Sequence, residues 1–462
     1  MTEEQKLKEL DSLFSRGVAE FIDPNGGFRK KLEEKIKGNY KKDIIIKFGV
    51  DPTQPDIHLG HAVVLRKLRK LQELGCKVIF LVGDYTTQIG DPTGKSKVRP
   101  ELEQKEIEAN MKTYLDQVVN ILLSDPRVFS WIRNSDWFTS VTDIQTKPGM
   151  KVNWRDGKMF GVFEGNSFIG KAILFNQTRM QETHLHNKTI HSVSLSHILR
   201  TLRKITHGRL IERDMFQDRI NSNEELYMHE MMYPVLQGLD SHILAKIYGS
   251  CDLEVGGSDQ HFNMLMGRHV MRVHDQEEQA VLSFGLLEGL DGKEKMSKSL
   301  DNYIGISDEP YNMYGKTMSI PDSLITKYFK LCTFTPEEEI SKISKELETN
   351  GDPRDIKMNL ARQIVEIYHG KEEAEKAEEG WVKTFSQGGV PEDVQDISVE
   401  AGEKLIDIFS ENNLLPSKTE FRRRFEAGAI KNTETGEVVP EEISESIVVK
   451  YGKKDFVKLN LK

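Results

Sequence analysis

Short all-apolar runs alternate with longer segments of helical spacing through the first third of the chain. Ile44-Ile45-Ile46-Lys47-Phe48 is β-branched and reads as a buried parallel strand, and Val78-Ile79-Phe80-Leu81-Val82 reads as a second. Between them, Ala62 to Leu74 spaces its apolar residues for one face of a helix. Strand, helix, strand implies a right-handed crossover in a parallel sheet. A helix is predicted from Leu102 to Leu123 and a strand near Val128 to Trp131. Another strand, Leu253 to Val255, should lead into a helix from His261 to Val270. Helical spacing also appears at Ser194 to Thr206, Glu212 to Arg219 and Glu224 to Leu236. Farther on it returns at Glu309 to Ser319, Ser323 to Leu331, Pro336 to Glu348 and Pro353 to Tyr368. The fold class is therefore α/β, a Rossmann-like parallel sheet followed by a helical region.

The helical period lapses between Val141 and Ser192. Met159 to Phe163 and Ser167 to Leu174 are predicted to form a β-hairpin around Glu164-Gly165-Asn166. His184, His186 and His191 lack an acidic or cysteine partner at metal-site spacing and read as surface residues.

Candidate chemistry sits at the junctions. Pro52 and Pro55 keep the turn after the first strand extended, so His58, Leu59, Gly60 and His61 fall in the first turn of the following helix. Free N–H groups and the positive end of the helix dipole favour a phosphate there. His58 and His61 share a face, and Gly60 lets a flat ring approach the backbone. Two histidines capping a helix would look the same. Gly292 to Leu300 holds Lys295 and Lys298 in a polar loop, which alone is an ordinary solvated loop. Thr87 to Arg99, with Lys95 and Arg99, is either an Asp-Pro turn or a nucleotide-wrapping loop. Its place outside the carboxyl end of the second strand favours the nucleotide. Tyr233, Gln237 and Asp240 lie at i, i+4 and i+7 among apolar neighbours, as a ligand-facing stripe or a solvated helix end. Gly256-Gly257-Ser258-Asp259-Gln260 makes a second nucleotide edge, with Asp259 able to accept from a ribose.

At 462 residues the chain is too long for a single core. Its 64 basic and 73 acidic residues leave a net charge of −9, which excludes generalised coating of nucleic acid. Cys76, Cys251 and Cys332 are odd in number and widely spaced, which supports neither a disulfide framework nor a structural zinc site and fits a reducing cytoplasm. No apolar run is long enough to cross a bilayer, and the amino terminus is a charged helix, so a cytoplasmic protein without a membrane partner is expected.

In order, GVDPT, HLGH, GDPTGK, YPVLQGLD, GGSDQ and KMSKS resemble the tyrosyl-tRNA synthetases, and HLGH with KMSKS is the signature pair of the class I aminoacyl-tRNA synthetases. The resemblance runs from about residue 30 to the end, apart from an insertion. It implies ATP-dependent activation of L-tyrosine to tyrosyl adenylate, transfer to the 3′-terminal ribose of tRNA(Tyr), Mg²⁺ carried with ATP, no dedicated protein metal cage, and a homodimer. It also implies that His58, His61, Lys95, Arg99, Lys295 and Lys298 act on the phosphates. Asp51, Thr53, Gly60, Gly257, Asp259, Met296 and Ser297 would line the ATP side. Asp91, Tyr233 and Gln260 would hold the tyrosine amino group with Gln237 nearby, and Asp240 would accept from the phenol. Two positions depart from many members, Lys47 where tyrosine is common and Phe48 where cysteine is.

The implied domains are a catalytic domain over 1–304, with a connective region over 131–250 and an insertion over 141–192, then a helical anticodon-stem domain over 305–388. A linker over 389–396 and a small α+β RNA-binding domain over 397–462 complete the chain. In that last domain Arg422, Arg423, Arg424, Lys453 and Lys454 would meet tRNA phosphates. A tryptophan-specific sister enzyme, a non-catalytic RNA-binding paralogue and a small-metabolite nucleotidyltransferase are the competing expectations.

Overall fold

The computed structural model describes residues 3–54, 57–91, 103–138, 150–155, 158–163, 193, 195–349, 352–386, 394–412, 414–433, 435–452 and 455–462. It divides into two compact units, Met1–Ser307 with Pro321–Ser344, and Asp308–Ile320 with Lys345–Lys462.

The first unit contains strands β1 (Val18–Ile22), β2 (Ile45–Val50), β3 (Lys77–Val82), β4 (Phe129–Arg133), β5 (Met150–Arg155), β6 (Lys158–Phe163), β7 (Leu253–Gly257) and β8 (Ala280–Phe284). Six of them form one sheet in the order β1-β8-β7-β2-β3-β4. Only β1 runs antiparallel to its neighbour; the β8–β7, β7–β2, β2–β3 and β3–β4 pairs are parallel. The chain builds outward from β2 in one direction through β3 and β4, and in the other through β7 and β8. The order thus reverses between β2 and β7, and a crevice outside the carboxyl ends of those strands is where such sheets take ligands. β2 and β3 stay paired for six residues, but β2 and β7 pair only at Ile46–Leu253 and Lys47–Glu254 before they part.

The Met228–Tyr248 helix, 21 residues long, continues past the predicted end at Leu236, so Tyr233, Gln237 and Asp240 all lie inside it. Its Val235, Leu239 and Ile243 pack with Ile79, Leu81, Ile132, Trp137 and Val270 in a shared core. Close contact with the His261–Val273 helix depends on Gly238, where an added Cβ would stand 2.7 Å from Val270 Cγ2 and 3.2 Å from the Met266 carbonyl.

Of the predicted hairpin, the strand Met159 to Phe163 falls within β6. Strand β6 pairs backwards with β5, Trp154 opposite Met159 and Met150 opposite Phe163. The expected partner Ser167 to Leu174 lies outside the described residues, as do His184, His186 and His191.

Pro321–Ser344, expected within the helical domain, groups with the first unit. The carboxyl end of its Ile325–Cys332 helix is capped by side chains from the amino-terminal part of the chain. Arg16 donates from Nε to the Lys330 carbonyl at 2.9 Å and from Nη2 to that of Thr333 at 3.1 Å, and Arg66 donates to that of Cys332. Cations at that end satisfy carbonyls that the helix leaves open.

In the second unit, the Pro310–Met318, Pro353–His369 and Lys371–Ser386 helices pack on one another, with Tyr314, Leu360 and Ile364 buried. Asp352 caps the second of these by accepting from the Arg354 N–H at 2.9 Å. Toward the carboxyl end, β9 (Gln395–Val399), β10 (Lys431–Asn432), β11 (Ile447–Lys450) and β12 (Phe456–Leu461) form a sheet in the order β10-β11-β12-β9. The Leu405–Glu411 and Lys418–Glu426 helices complete its core through Leu405, Phe409 and Phe421. Strand β9 pairs with β12 from Gln395, so the folded module begins inside the expected linker.

Gly238→Ala should lower stability by about 1–3 kcal/mol through overpacking, read as a fall in the thermal midpoint. An unchanged midpoint would mean that the two helices separate without cost.

Candidate active site

The turn after β2 is stitched to the segment that follows the Lys295–Ser299 loop. Leu59 N–H donates to the Ile304 carbonyl at 3.0 Å, Ile306 N–H donates to that of Ile57 at 3.0 Å, and His58 bridges Gly305. Two stretches more than 200 residues apart thus share one wall. His58 is the N-cap of the Leu59–Glu73 helix, in extended conformation, and its N–H points at His61 Nδ1 at 3.4 Å. The two imidazole centroids lie 3.9 Å apart. Burial, then His61, Lys298 and Lys295, hold His58 well below the usual imidazole range. Burial followed by the two lysines takes His61 down to about 4. Both rings are therefore neutral at pH 7, and the positive potential comes from the lysines and the helix end. At Gly60 an added Cβ would lie 3.0 Å from the His58 ring and 3.9 Å from Met296 Cβ, so the glycine faces the loop.

That loop is held by Asn302. Its Oδ1 accepts from Ser297 N–H at 2.8 Å, and its Nδ2 donates to Asp291 Oδ2 at 2.6 Å and the Lys295 carbonyl at 3.2 Å. Met296 is buried and donates from its N–H to the Leu287 carbonyl at 2.7 Å. Lys298 Nζ stands 5.6 Å from the Tyr303 ring centroid. Lys295 Nζ meets Asp259 Oδ2 at 2.9 Å, so the residues expected on pyrophosphate and on ribose are here bonded to each other. Both are partly exposed, and such a pair is weak enough for a ligand to replace. Asp259 folds back over Gly257, where an added Cβ would stand 2.5 Å from its Oδ1.

The stripe on the Met228–Tyr248 helix faces the same crevice. Tyr233 Oη donates to Asp51 Oδ2 at 2.8 Å, while Thr86 Oγ1 donates to Asp51 Oδ1 at 2.8 Å. The expected ATP and tyrosine sides are thereby linked. Thr53 N–H closes the turn onto the Asp51 carbonyl at 2.8 Å. Gln260 Nε2 donates to Asp91 Oδ2 at 2.6 Å and its Oε1 accepts from Asn263 Nδ2 at 3.0 Å. Arg213 Nη2 lies 3.8 Å from the other Asp91 oxygen. Gln237 Nε2 donates to Glu254 Oε1 at 3.0 Å. Asp240 is buried, accepting from Trp137 Nε1 at 2.9 Å on one oxygen and from Asn134 Nδ2 at 3.4 Å on the other. Burial pushes its carboxyl up to about 7 against the opposing pull of Lys47 and the two donors.

Lys95 and Arg99 lie outside the described residues, as do Lys453 and Lys454. Arg422 and Arg423 are exposed on the Lys418–Glu426 helix. Arg424 is instead a strut, donating to the Tyr451 carbonyl and to Glu420 Oε1, each at 2.8 Å. Sequence reasoning missed Asn134, Trp137, Arg213, Glu254 and Asn302. A signal for Glu254 existed, because a carboxylate inside an apolar run read as a strand needs a buried partner.

A family model for class I tRNA synthetases (W and Y) matches residues 39–146 and 166–386. Its interruption spans the β5–β6 hairpin, a narrower stretch than 141–192. A tyrosine–tRNA ligase of Francisella tularensis is 34% identical over 465 residues, covering 99% of each chain. One from Moorella thermoacetica is 37% identical, covering 99% of this chain and 97% of the other. Among solved structures, a C-terminally truncated mitochondrial tyrosyl-tRNA synthetase of Aspergillus nidulans aligns with a TM-score of 0.54 at 23% identity, over 83% of this chain and 94% of that one. A tyrosyl-tRNA synthetase of Archaeoglobus fulgidus complexed with L-tyrosine aligns at 0.51 and 19%, over 81% and 99%. These structural likenesses speak for the fold, and the sequence matches for the family. The chain belongs to the class I tRNA synthetases of the tryptophan and tyrosine group, within it to the tyrosine–tRNA ligases.

Proposed function

We propose that L-tyrosine and ATP meet in the crevice where β2 and β7 part. The observation that carries this reading is the joining of the His58–His61 turn to the Lys295–Ser299 loop beside the Asp51–Tyr233 bond. The tyrosine carboxylate attacks the α-phosphorus and pyrophosphate leaves, which gives tyrosyl adenylate. A hydroxyl of the tRNA's terminal ribose then attacks the tyrosyl carbonyl carbon and AMP departs. A carboxylate needs no general base at neutral pH, so the protein's task is positioning and charge stabilisation.

Neutral His58 and His61 donate to phosphate oxygens, and Lys95, Arg99, Lys295 and Lys298 gather the departing pyrophosphate. Lys295 leaves Asp259 as it does so, which frees that carboxylate for the ribose beside Gly257. Asp51, Thr53, Gly60, Met296 and Ser297 line the nucleotide. Asp91, Tyr233 and Gln260 take the amino group with Gln237 nearby, and Asp240 accepts from the phenol. A site built to bond a hydroxyl leaves its own polar group unpaired with an analogue lacking one, a rule for which this family is itself the standard example. Mg²⁺ would enter with ATP. When bound it would supply positive charge to the phosphates.

Exposed Arg422 and Arg423, with Lys453 and Lys454, grip tRNA phosphates, and the helical segment meets the anticodon stem. Self-association is supported by Leu195 (71% exposed), Leu199 (53%) and Met228 (71%) in the connective region. A cytoplasmic location is consistent with three buried free cysteines and with no helix among the described residues long and apolar enough to cross a membrane.

Pyrophosphate exchange into ATP should respond to tyrosine, require Mg²⁺ and stop on chelation. His61→Ala should cut its kcat on the order of 100-fold with little change in KM for tyrosine. Exchange supported by tryptophan, or an unaltered kcat, would contradict the assignment. Leu199→Glu should convert a dimer to monomer by light scattering coupled to gel filtration; a dimer that survives the change would move the interface elsewhere.

A further inference from the structure

The bottom of the crevice holds a pair of charges shut away from bulk solvent. Lys47 on β2 and Glu254 on β7 form the last rung before the strands diverge. Their side chains are 0% and 2% exposed, and Nζ lies 2.8 Å from Oε1. All three ammonium protons are used, because Lys47 also donates to the Gln237 carbonyl at 2.8 Å and to Ser241 Oγ at 2.9 Å. Glu254 is as fully occupied. Its Oε1 accepts from Gln237 Nε2 at 3.0 Å, and its Oε2 accepts from Ser241 Oγ at 3.3 Å and from the Gln279 amide. Gly267 on the neighbouring helix makes room for this network, since a Cβ there would stand 2.9 Å from Glu254 Oε2 and 2.7 Å from Gln279 Nε2.

Stability does not explain such a pair. Desolvating two ions offsets most of their attraction, and apolar residues of similar volume commonly serve a core as well or better. The pair does, however, fasten Gln237 at two points, its side-chain amide to Glu254 and its backbone carbonyl to Lys47. Gln237 is one turn from Asp240 on the same helix. The titratable groups that surrounding elements bring towards Asp240 are Lys47 from β2, Glu254 from β7 and Tyr233 from its own helix. On the adjacent short helix, Asp84 is tied to Arg133 at 3.1 Å. Trp137 and Asn134 contribute neutral donors. Lys47 is thus the cation acting on Asp240.

We propose that Lys47 and Glu254 are positioning residues for amino-acid selection: the pair fixes Gln237, and Lys47 supplies the positive charge that keeps Asp240 an acceptor for the substrate phenol. This rests on the assignment of Asp240 as the phenol's partner.

The sign of the pH dependence follows. An ionised Asp240 accepts the phenol O–H, whereas a proton on the carboxyl competes for the same oxygen. Preference for tyrosine over phenylalanine therefore rises with pH through a midpoint near neutrality. Removing Lys47 leaves burial and Glu254, both favouring the neutral acid, opposed only by the Trp137 and Asn134 donors, so the midpoint moves up.

The test is the ratio of kcat/KM for tyrosine to that for phenylalanine in pyrophosphate exchange, measured from pH 6 to 9 on wild type, Lys47→Met, Lys47→Met/Glu254→Met and Asp240→Asn. Lys47→Met strands the Glu254 carboxylate and threatens folding, so the double variant, which removes both charges, keeps the test usable; its thermal midpoint should stay near wild type. Lys47→Met should move the midpoint of the ratio upward by about one pH unit or more, and the double variant, which also removes the opposing charge of Glu254, should move it upward by less; a midpoint raised by about one pH unit should cost about fivefold in preference at pH 7. A parallel fall in kcat/KM for both amino acids, with the midpoint unmoved, would overturn the proposal and leave Lys47 a structural residue. If instead Asp240→Asn keeps the wild-type preference at every pH, the assignment of Asp240 itself fails, and the proposal with it.

Discussion

Two parallel strands that pair for two residues and then separate are the constraint on which the catalytic unit depends. β2 and β7 are held together at Ile46–Leu253 and Lys47–Glu254. Beyond that rung each strand ends in a turn, β2 in Asp51 and the His58–His61 helix start, β7 in Gly257 and Asp259. The polar groups of the site hang on those two turns because backbone N–H groups and helix ends are exposed there and nowhere inside the sheet. The Met228–Tyr248 helix roofs the gap, and its position follows from the close approach that Gly238 permits.

The electrostatics divide along the same line. Around the His58–His61 turn the groups are cationic or neutral donors, Lys295, Lys298 and the helix end, with both histidines kept uncharged by burial. Deeper in, Tyr233, Asp51, Gln237 and Asp240 are bonded to one another or to their neighbours, so the pocket is preorganised before any substrate enters. A loose ion pair, Lys295 with Asp259, spans the two regions and is the contact a nucleotide would replace.

Much of the His58–His61 turn was legible in sequence because its signals are local. A β-branched run, two prolines and His-x-Gly-His describe a strand, a turn and a helix start within a few residues. The stripe Tyr233, Gln237, Asp240 was legible too, since helical spacing alone puts three polar tips on one face. Contacts that join distant segments were not. Nothing near Lys47 announces Glu254, although each is a charge inside an apolar strand and each therefore required a partner. The grouping of Pro321–Ser344 with the first unit turns on helix capping by Arg16 and Arg66, whose positions carry no pattern that points to it.

The most direct test of the crevice as the site of tyrosine activation is a crystal structure of the full chain with a non-hydrolysable tyrosyl-adenylate analogue. The phenol should lie within hydrogen-bond distance of Asp240, the adenylate ribose should contact Asp259, and Lys295 should have left that carboxylate. An analogue bound with its phenol away from Asp240, or with the Lys295–Asp259 pair intact and the nucleotide elsewhere, would contradict this account.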